Sequence, residues 1–102
     1  MQFAVTAYDY QDEDTINRRL SNRDAHVQGI EKLVKAGIFL SGGAMLNEDG
    51  KMIGSSVHVD FNTREALDEW IQNDPYITGK VWEKVDIREI KLVPIANILN
   101  GQ

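Results

Sequence analysis

The chain has 102 residues, of which 42% are hydrophobic and 26% are charged, and this composition predicts a single soluble, globular domain. Its 16 acidic and 11 basic side chains give a net charge of −5, and the basic residues are scattered, which argues against nucleic acid or an anionic membrane surface as a partner. Cysteine is absent, which excludes disulfides, thiol nucleophiles and thiolate zinc sites and favours a cytoplasmic location. We also expect no signal peptide and no membrane span.

The first third of the chain predicts one strand and one helix. Aromatic and β-branched residues over 3–8 are typical of a strand, and the acidic loop that follows leads into a short turn over 15–20. The sequence Ser21-Asn22-Arg23-Asp24 has the form of a capping box, which predicts that a helix begins there. That helix is expected to end at Lys35-Ala36, before Gly37.

One face of this helix combines apolar and basic residues. At about 100° per residue, Arg23 falls in the same quadrant as Val27 and Ile30, with His26 on its flank. The spacing therefore predicts that both basic side chains face inward. A buried cation costs several kcal/mol unless it is paired, so this placement requires a partner or a cleft.

The rest of the chain predicts three strands and a second helix. Residues 38–46 and 51–61 are expected to form antiparallel strands joined by a hairpin at Asp49-Gly50. Asn62 or Thr63 caps the next helix, which must end before Asp74-Pro75 because the residue before proline avoids helical geometry. Residues 81–93 form a final strand. We therefore expect one domain over 1–93 and a C-terminal tail over 94–102.

The order βαββαβ predicts an α+β, ferredoxin-like fold with a four-stranded antiparallel sheet and both helices on one face. The other face is expected to carry four residues: Thr6, Tyr8, His58 and Trp82. Such a face is too aromatic to remain fully in water. We therefore expect a homodimer that packs sheet against sheet.

Short motifs follow one another along these elements: Arg23-Asp24-Ala25-His26, Ser41-Gly42-Gly43-Ala44, Gly54-Ser55, Asp74-Pro75-Tyr76 and Val81-Trp82-Glu83-Lys84-Val85. In this order and spacing they resemble the YCII-related (YciI-like) proteins. The resemblance implies a dimeric α/β barrel of ferredoxin-like subunits with a histidine and an aspartate as an active-site dyad. Carried over by motif, these are His26 and Asp74. The resemblance also implies lyase or isomerase chemistry, of the dehydrochlorinase or muconolactone isomerase kind.

The chemistry of these residue types favours proton transfer. A neutral imidazole is a base near neutral pH, and a carboxylate on one ring nitrogen orients the other. We therefore expect a cofactor-independent enzyme without a metal, in which His26 takes a proton from a small cyclic, phenolic or lactone-like substrate. Arg23 is a candidate ligand for a substrate carboxylate or phenolate, and the other candidate substrate-binding residues are Tyr76, Ser41 and Trp82.

Other interpretations of the same residues remain open. His26 is equally typical of a histidine at the edge of a core, and Asp74 of a turn cap. Arg23 is commonly a structural partner of a buried carboxylate, and Tyr76 and Trp82 fit a dimer interface. The alternative function is a non-catalytic dimeric module that binds a small acidic ligand or a protein partner. Activity that depends on Asp74 would distinguish the two functions.

Overall fold

A computed structural model describes residues 1–101 as one antiparallel sheet with helices packed on one face. The elements, in chain order, are β1 (Gln2–Asp9), α1 (Thr15–Lys35), β2 (Phe39–Leu46), β3 (Met52–Asp60), α2 (Arg64–Asn73), α3 (Pro75–Thr78), β4 (Trp82–Ile90) and α4 (Ile95–Leu99). The strand order is β2-β3-β1-β4. The predicted α+β fold with a four-stranded antiparallel sheet is confirmed, and its order is consistent with a ferredoxin-like fold.

Helix α1 is longer than the sequence pattern predicted. The Asp12 carboxylate accepts hydrogen bonds from the Asp14 backbone N–H at 3.0 Å and from the Thr15 hydroxyl at 3.1 Å, so the helix begins at Thr15. Ser21 lies inside the helix, where its hydroxyl donates to the Arg18 carbonyl at 3.2 Å. The predicted turn over 15–20 and the capping box at Ser21 were therefore wrong, because a serine hydroxyl also bonds within a helix.

The other predicted boundaries agree closely with the structure. Gly37 ends α1 with a φ of +76°, and Gly50 turns the β2–β3 hairpin with a φ of +79°. The Thr63 hydroxyl accepts from the Ala66 backbone N–H at 3.1 Å, which caps α2. The tail expected over 94–102 contains the short helix α4, and Gln102 lies outside the described residues.

The core lies between the sheet and helices α1 and α2. Alternate residues of β1 and β3 face these helices, and α2 contributes Leu67, which is fully buried. The main buried apolar residues are Phe3, Val5, Val57, Val59, Phe61, Leu67 and Ile71. Burying one such side chain contributes roughly 1.5–3 kcal/mol, so this layer holds both helices against the sheet.

Trp82 faces the helices, whereas the sequence pattern had placed it on the uncovered sheet face. The pairing of β1 with β4 shifts register between Tyr8 and Asp9, so that Asp9 lies opposite Trp82 while Tyr8 lies opposite Lys84. An irregularity of one residue moves a strand side chain to the other face of the sheet. The prediction for Trp82 was therefore wrong, and its indole is buried with Val81 and Tyr76.

The opposite face of the sheet is open to solvent. It carries Thr6, Tyr8 and His58, as predicted, and Tyr8 is 46% exposed. The large apolar side chains of α4 are also exposed: Ile95, Ile98 and Leu99. Among residues 1–101, no helix is both long and apolar enough to cross a membrane.

Gly43 on β2 and Gly54 on β3 allow a test of how closely neighbouring strands of the sheet approach each other. A Cβ atom added at Gly54 would overlap the Ala7 carbonyl oxygen, whereas one added at Gly43 meets nothing within 4 Å. We expect Gly54→Ala to lower the free energy of unfolding by about 1–3 kcal/mol, since the backbone must move. Gly43→Ala is the matched control and should cost nothing. Urea denaturation of both variants measures the difference, and equal stabilities would contradict the expectation.

Candidate active site

A cavity of about 340 Å³ lies between α1 and the β2–β3 side of the sheet. Its lining includes Arg19, Arg23, His26, Ser55 and Tyr76, together with apolar residues of α1, β2 and β3. A second cavity, of about 710 Å³, lies at the turn of the β2–β3 hairpin, beside the loop after β1. His26 is not among its lining residues. We place the candidate site in the smaller cavity, because that cavity contains the histidine and several other polar side chains.

The local sequence positions Asp74 between α2 and α3. Its extended backbone, with a ψ of 136°, ends α2, and Pro75 occupies the first turn of α3. The Asp74 Oδ1 atom accepts a hydrogen bond from the Tyr76 backbone N–H at 2.8 Å, as expected for a helix N-cap. The carboxylate is thereby held in one orientation beside α1.

His26 projects from α1 onto this carboxylate. Its Nδ1 atom lies 2.8 Å from Asp74 Oδ1 and 3.1 Å from Oδ2, and the two residues are only 7% and 3% exposed. A carboxylate only accepts hydrogen bonds, so a hydrogen bond between these two groups is donated by Nδ1. The hydrogen bonds of His26 within residues 1–101 all involve Nδ1, and the residue lines the cavity.

Two aromatic rings fix the plane of the imidazole. The Tyr76 ring stacks on His26 with a centroid distance of 3.8 Å and an interplanar angle of 12°. The Trp82 indole meets His26 edge-on at 5.6 Å and 84°. Burial raises the pKa of the Tyr76 hydroxyl above its usual value, although Arg19 and Arg23 oppose this shift. The phenol therefore stays protonated at neutral pH and remains a hydrogen-bond donor.

Arg19 is the buried arginine of α1, only 3% exposed. Its Nη1 atom donates to both carboxylate oxygens of Asp9 at 3.0 Å, and Nη2 donates to the Gly54 carbonyl and the Ser55 hydroxyl oxygen at 3.0 Å. Its guanidinium carbon lies 4.9 Å from the centroid of the Tyr76 ring. Burial raises the pKa of Asp9, and the Arg19 charge opposes this change.

The candidate residues from the sequence fall into two groups. His26, Asp74, Tyr76 and Trp82 lie together, whereas Ser41 lies on the open face of the sheet with its hydroxyl 3.2 Å from His58 Nδ1. The structure therefore does not bring Ser41 to the histidine.

Arg23 lines the cavity, but its side chain is exposed, so the expectation that it faces inward was wrong. The buried residues of α1 are Thr15, Arg19 and His26, which lie within about 40° of one another at 100° per residue. The inward face is thus rotated away from Arg23 toward Arg19.

Sequence reasoning missed Arg19 and Ser55. The predicted break at Ser21 separated Arg19 from the helix, although Arg19, Arg23 and His26 have helical spacing. Alternation along β3 places Ser55 on the same side as Val57 and Val59, so a polar residue on the core face was a detectable signal.

Metal-binding geometry is absent from the described part of the chain. Within residues 1–101, no three histidine, cysteine, aspartate or glutamate side chains converge closely enough to hold an ion. His26 Nδ1 and the Asp74 carboxylate already bond to each other.

Comparison with known proteins identifies relatives over most of the chain. The YCII-related domain family matches residues 1–91. Protein YciI of Escherichia coli O6:H1 is 34% identical over 86 residues, which cover 78% of this chain and 88% of that protein, and Protein YciI of Shigella flexneri gives the same values. The fold is similar to that of 5-chloro-2-hydroxyhydroquinone dehydrochlorinase (TftG) from Burkholderia phenoliruptrix AC1100, with a TM-score of 0.78, 21% identity, and coverage of 89% of this chain and 94% of that one.

The buried Arg19–Asp9 pair predicts a pH-dependent loss of stability in Arg19→Met. Removing the cation leaves the Asp9 charge buried, which costs about 3–5 kcal/mol of unfolding free energy at neutral pH. The pKa of Asp9, already raised by burial, then rises further above its unfolded value. A carboxyl with a raised pKa favours folding at low pH and loses that contribution as the pH increases, so the deficit should grow between about pH 4 and pH 7.

Urea denaturation across this pH range measures the deficit. Arg18→Met is the control, because the Arg18–Asp12 pair is exposed and its loss should change stability little. Adding Asp9→Asn to Arg19→Met should recover part of the lost stability at pH 7. A deficit in Arg19→Met that stays constant with pH would contradict a buried, uncompensated Asp9 charge.

Proposed function

We propose that this chain, which belongs to the YCII-related domain family, is a small cofactor-independent enzyme of the lyase or isomerase type. In this proposal His26 abstracts a proton from a small cyclic, phenolic or lactone-like substrate. The observation that carries it is the 2.8 Å contact of His26 Nδ1 with Asp74, in a histidine that lines the cavity.

The proposed mechanism divides two tasks between the histidine and the aspartate. Asp74 holds the proton on Nδ1, so that Nε2 presents its lone pair to a substrate O–H or C–H group in the cavity. When Nε2 takes the proton, the imidazole becomes a cation that the adjacent carboxylate stabilises. General base catalysis of this kind contributes typically about 10² to 10⁴ in rate, which suits a substrate that is already acidic.

The size and the lining of the cavity suit a small substrate with one ring and an anionic oxygen. The cavity has a volume of about 340 Å³, at the small end of ligand pockets, and Tyr76 and Arg23 are among its lining residues. Arg23 would attract a phenolate or carboxylate at the rim, since a guanidinium binds such groups through charge-assisted hydrogen bonds. The dehydrochlorinase that shares this fold acts on 5-chloro-2-hydroxyhydroquinone, and its structure is a complex with 2,5-dihydroxybenzoquinone. We propose a substrate of that general class here.

A second candidate function is a dimeric module that binds a small acidic ligand without turnover. The exposure of Arg23, which has no ion-pair partner within residues 1–101, favours ligand capture as much as catalysis. In such a module His26 would act as a second anchor for the ligand. The two functions differ in how they depend on the orientation of the imidazole.

We also propose that two copies associate through the open sheet face to form a dimeric α/β barrel in the cytoplasm. On this face Tyr8 is 46% exposed, and Ser56 of β3 is also exposed. A sheet with one bare face commonly gains a second layer from another subunit. The absence of cysteine is consistent with a reducing compartment.

Asp74→Asn tests the catalytic proposal. An asparagine can still cap α3 through its amide oxygen, but its NH₂ group can face Nδ1 and favour the wrong imidazole tautomer. We expect kcat/KM to fall about 10²- to 10⁴-fold, because the base is then misdirected. The measurement combines turnover of a panel of quinols and lactones, including 5-chloro-2-hydroxyhydroquinone, with ¹⁵N chemical shifts of the His26 ring nitrogens.

Asp68→Asn is the control, because Asp68 forms an exposed pair with Arg64 at 2.9 Å on α2. It should leave both turnover and the His26 spectrum unchanged. His26→Gln assigns the ring signals against those of His58. If Asp74→Asn keeps full turnover, the proposed mechanism, in which Asp74 orients His26 as the base, fails. If the wild type turns over nothing but binds members of the panel, the binding module becomes the better description.

Thr6→Arg tests the proposed dimer. Thr6 lies in the middle of β1, a central strand, on the open face opposite Ser56 and Asp86. Burying a guanidinium in a face-to-face sheet contact costs several kcal/mol of desolvation, and its longer side chain also keeps the two sheets apart, so we expect the variant to be monomeric. Sedimentation equilibrium measures the mass, with exposed Gln72→Arg on α2 as the control. Identical masses for Thr6→Arg and the wild type would contradict an interface on this face.

A further inference from the structure

Ser55 is a polar residue on the core face of β3. It is only 6% exposed, it follows the alternation of the buried residues Val57 and Val59, and it lines the cavity that contains His26. Apolar side chains occupy most positions of this face, so a buried serine requires hydrogen-bond partners. Those partners determine what its hydroxyl group can do.

Two donors converge on the Ser55 oxygen. Arg19 Nη2 donates to Oγ at 3.0 Å, and the Trp82 indole Nε1 donates to it at 3.2 Å. A hydroxyl oxygen has two acceptor lone pairs, and these two N–H groups occupy both. The remaining capacity of Ser55 is therefore its own O–H hydrogen, which can only donate.

The Ser55 hydrogen has no acceptor within residues 1–101. Ser55 takes part in two side-chain hydrogen bonds there, and it is the acceptor in both. The hydroxyl hydrogen must point away from the two donors, and the group borders the cavity. An acceptor atom that enters the cavity would satisfy this donor.

We propose that Ser55 donates a hydrogen bond to an oxygen atom of the bound substrate, of the phenolate, enolate or carbonyl class. The inference rests on the proposed function and adds a second point of attachment to it. His26 Nε2 would receive the proton from one position of the substrate, while Ser55 stabilises an oxygen at another. A preorganised donor of this kind is most effective where negative charge develops as the proton leaves.

Arg19 acts through Ser55 as a positioning residue. Its Nη1 group is held by the Asp9 carboxylate, and its Nη2 group is shared between the Gly54 carbonyl and Ser55, so both terminal nitrogens are already bonded. A hydrogen bond from a guanidinium polarises the serine O–H group and makes it a stronger donor. Arg19 thereby strengthens the hydrogen bond from Ser55 to the ligand oxygen, although the guanidinium does not contact the ligand itself.

Trp82 connects the proposed donor with the proposed base. Its indole N–H bonds to Ser55 while its ring packs edge-on against His26 at 5.6 Å. One buried side chain therefore sets the position of both groups along the cavity wall. Such shared support is what a site needs to hold two reacting groups at a constant separation.

The test is the affinity of 2,5-dihydroxybenzoquinone, measured by isothermal titration calorimetry with the full chain. We expect Ser55→Ala to weaken binding about 10- to 100-fold, the usual effect of losing a hydrogen bond to a charged group. Ser55→Thr keeps the hydroxyl group and should bind within about threefold of the wild type. Ser56→Ala is the matched control, because Ser56 is the next residue and is exposed on the open face.

The possible outcomes separate this inference from the proposed function. Wild-type affinity in Ser55→Ala would overturn the inference and leave the catalytic proposal standing. Equal weakening in Ser55→Ala and Ser55→Thr, with altered ¹⁵N shifts of His26 in both, would make Ser55 a structural residue and also overturn the inference. Failure of the wild type itself to bind the quinone at millimolar concentration would overturn the quinol-like substrate class and this inference with it, whereas the turnover panel decides the proposed function separately.

Discussion

The Asp74 carboxylate is the interaction on which the candidate site depends. It ends α2, caps α3 through the Tyr76 backbone N–H, and bonds to His26 on α1, so one side chain joins three helices. A buried carboxylate is tolerated only when its oxygens accept hydrogen bonds, and Asp74 obtains these from a ring nitrogen and a peptide group. The same bonds that stabilise the turn also orient the imidazole.

A second polar network is centred on Arg19, whose guanidinium carbon lies 4.9 Å from the centroid of the Tyr76 ring. Asp9 compensates its charge, while the Gly54 carbonyl and the Ser55 hydroxyl oxygen accept hydrogen bonds from Nη2. Within residues 1–101, every buried side-chain nitrogen or oxygen atom has at least one hydrogen-bond partner. A buried polar group without a partner lowers the free energy of unfolding by more than an incomplete network adds to it. This explains why the polar residues of this site occur as connected sets.

Much of the fold followed from patterns of local sequence. Gly37, Gly50 and Thr63 mark the end of α1, the β2–β3 hairpin and the start of α2, because left-handed turns and N-caps depend on the residue at that position. The predicted start of α1 was wrong because two sequences that can begin a helix follow each other, one near Asp12 and one at Ser21. The hydrogen bonds of the Asp12 carboxylate stabilise the earlier start. The sheet face of Trp82 was predicted wrongly because a β-bulge cannot be recognised from the alternation of apolar and polar residues in the sequence.

For the candidate site, local sequence patterns predicted the residue types and two of their local conformations: His26 on a helix, and Asp74 extended before Pro75. Motifs spread along the chain also indicated the family. Three features became evident only in the folded molecule: Arg19 is buried with Asp9, Arg23 is exposed, and Ser41 lies apart from the histidine. Helical periodicity defines a face only to within about one residue's rotation, whereas burial and pairing depend on contacts between elements that are distant in the chain.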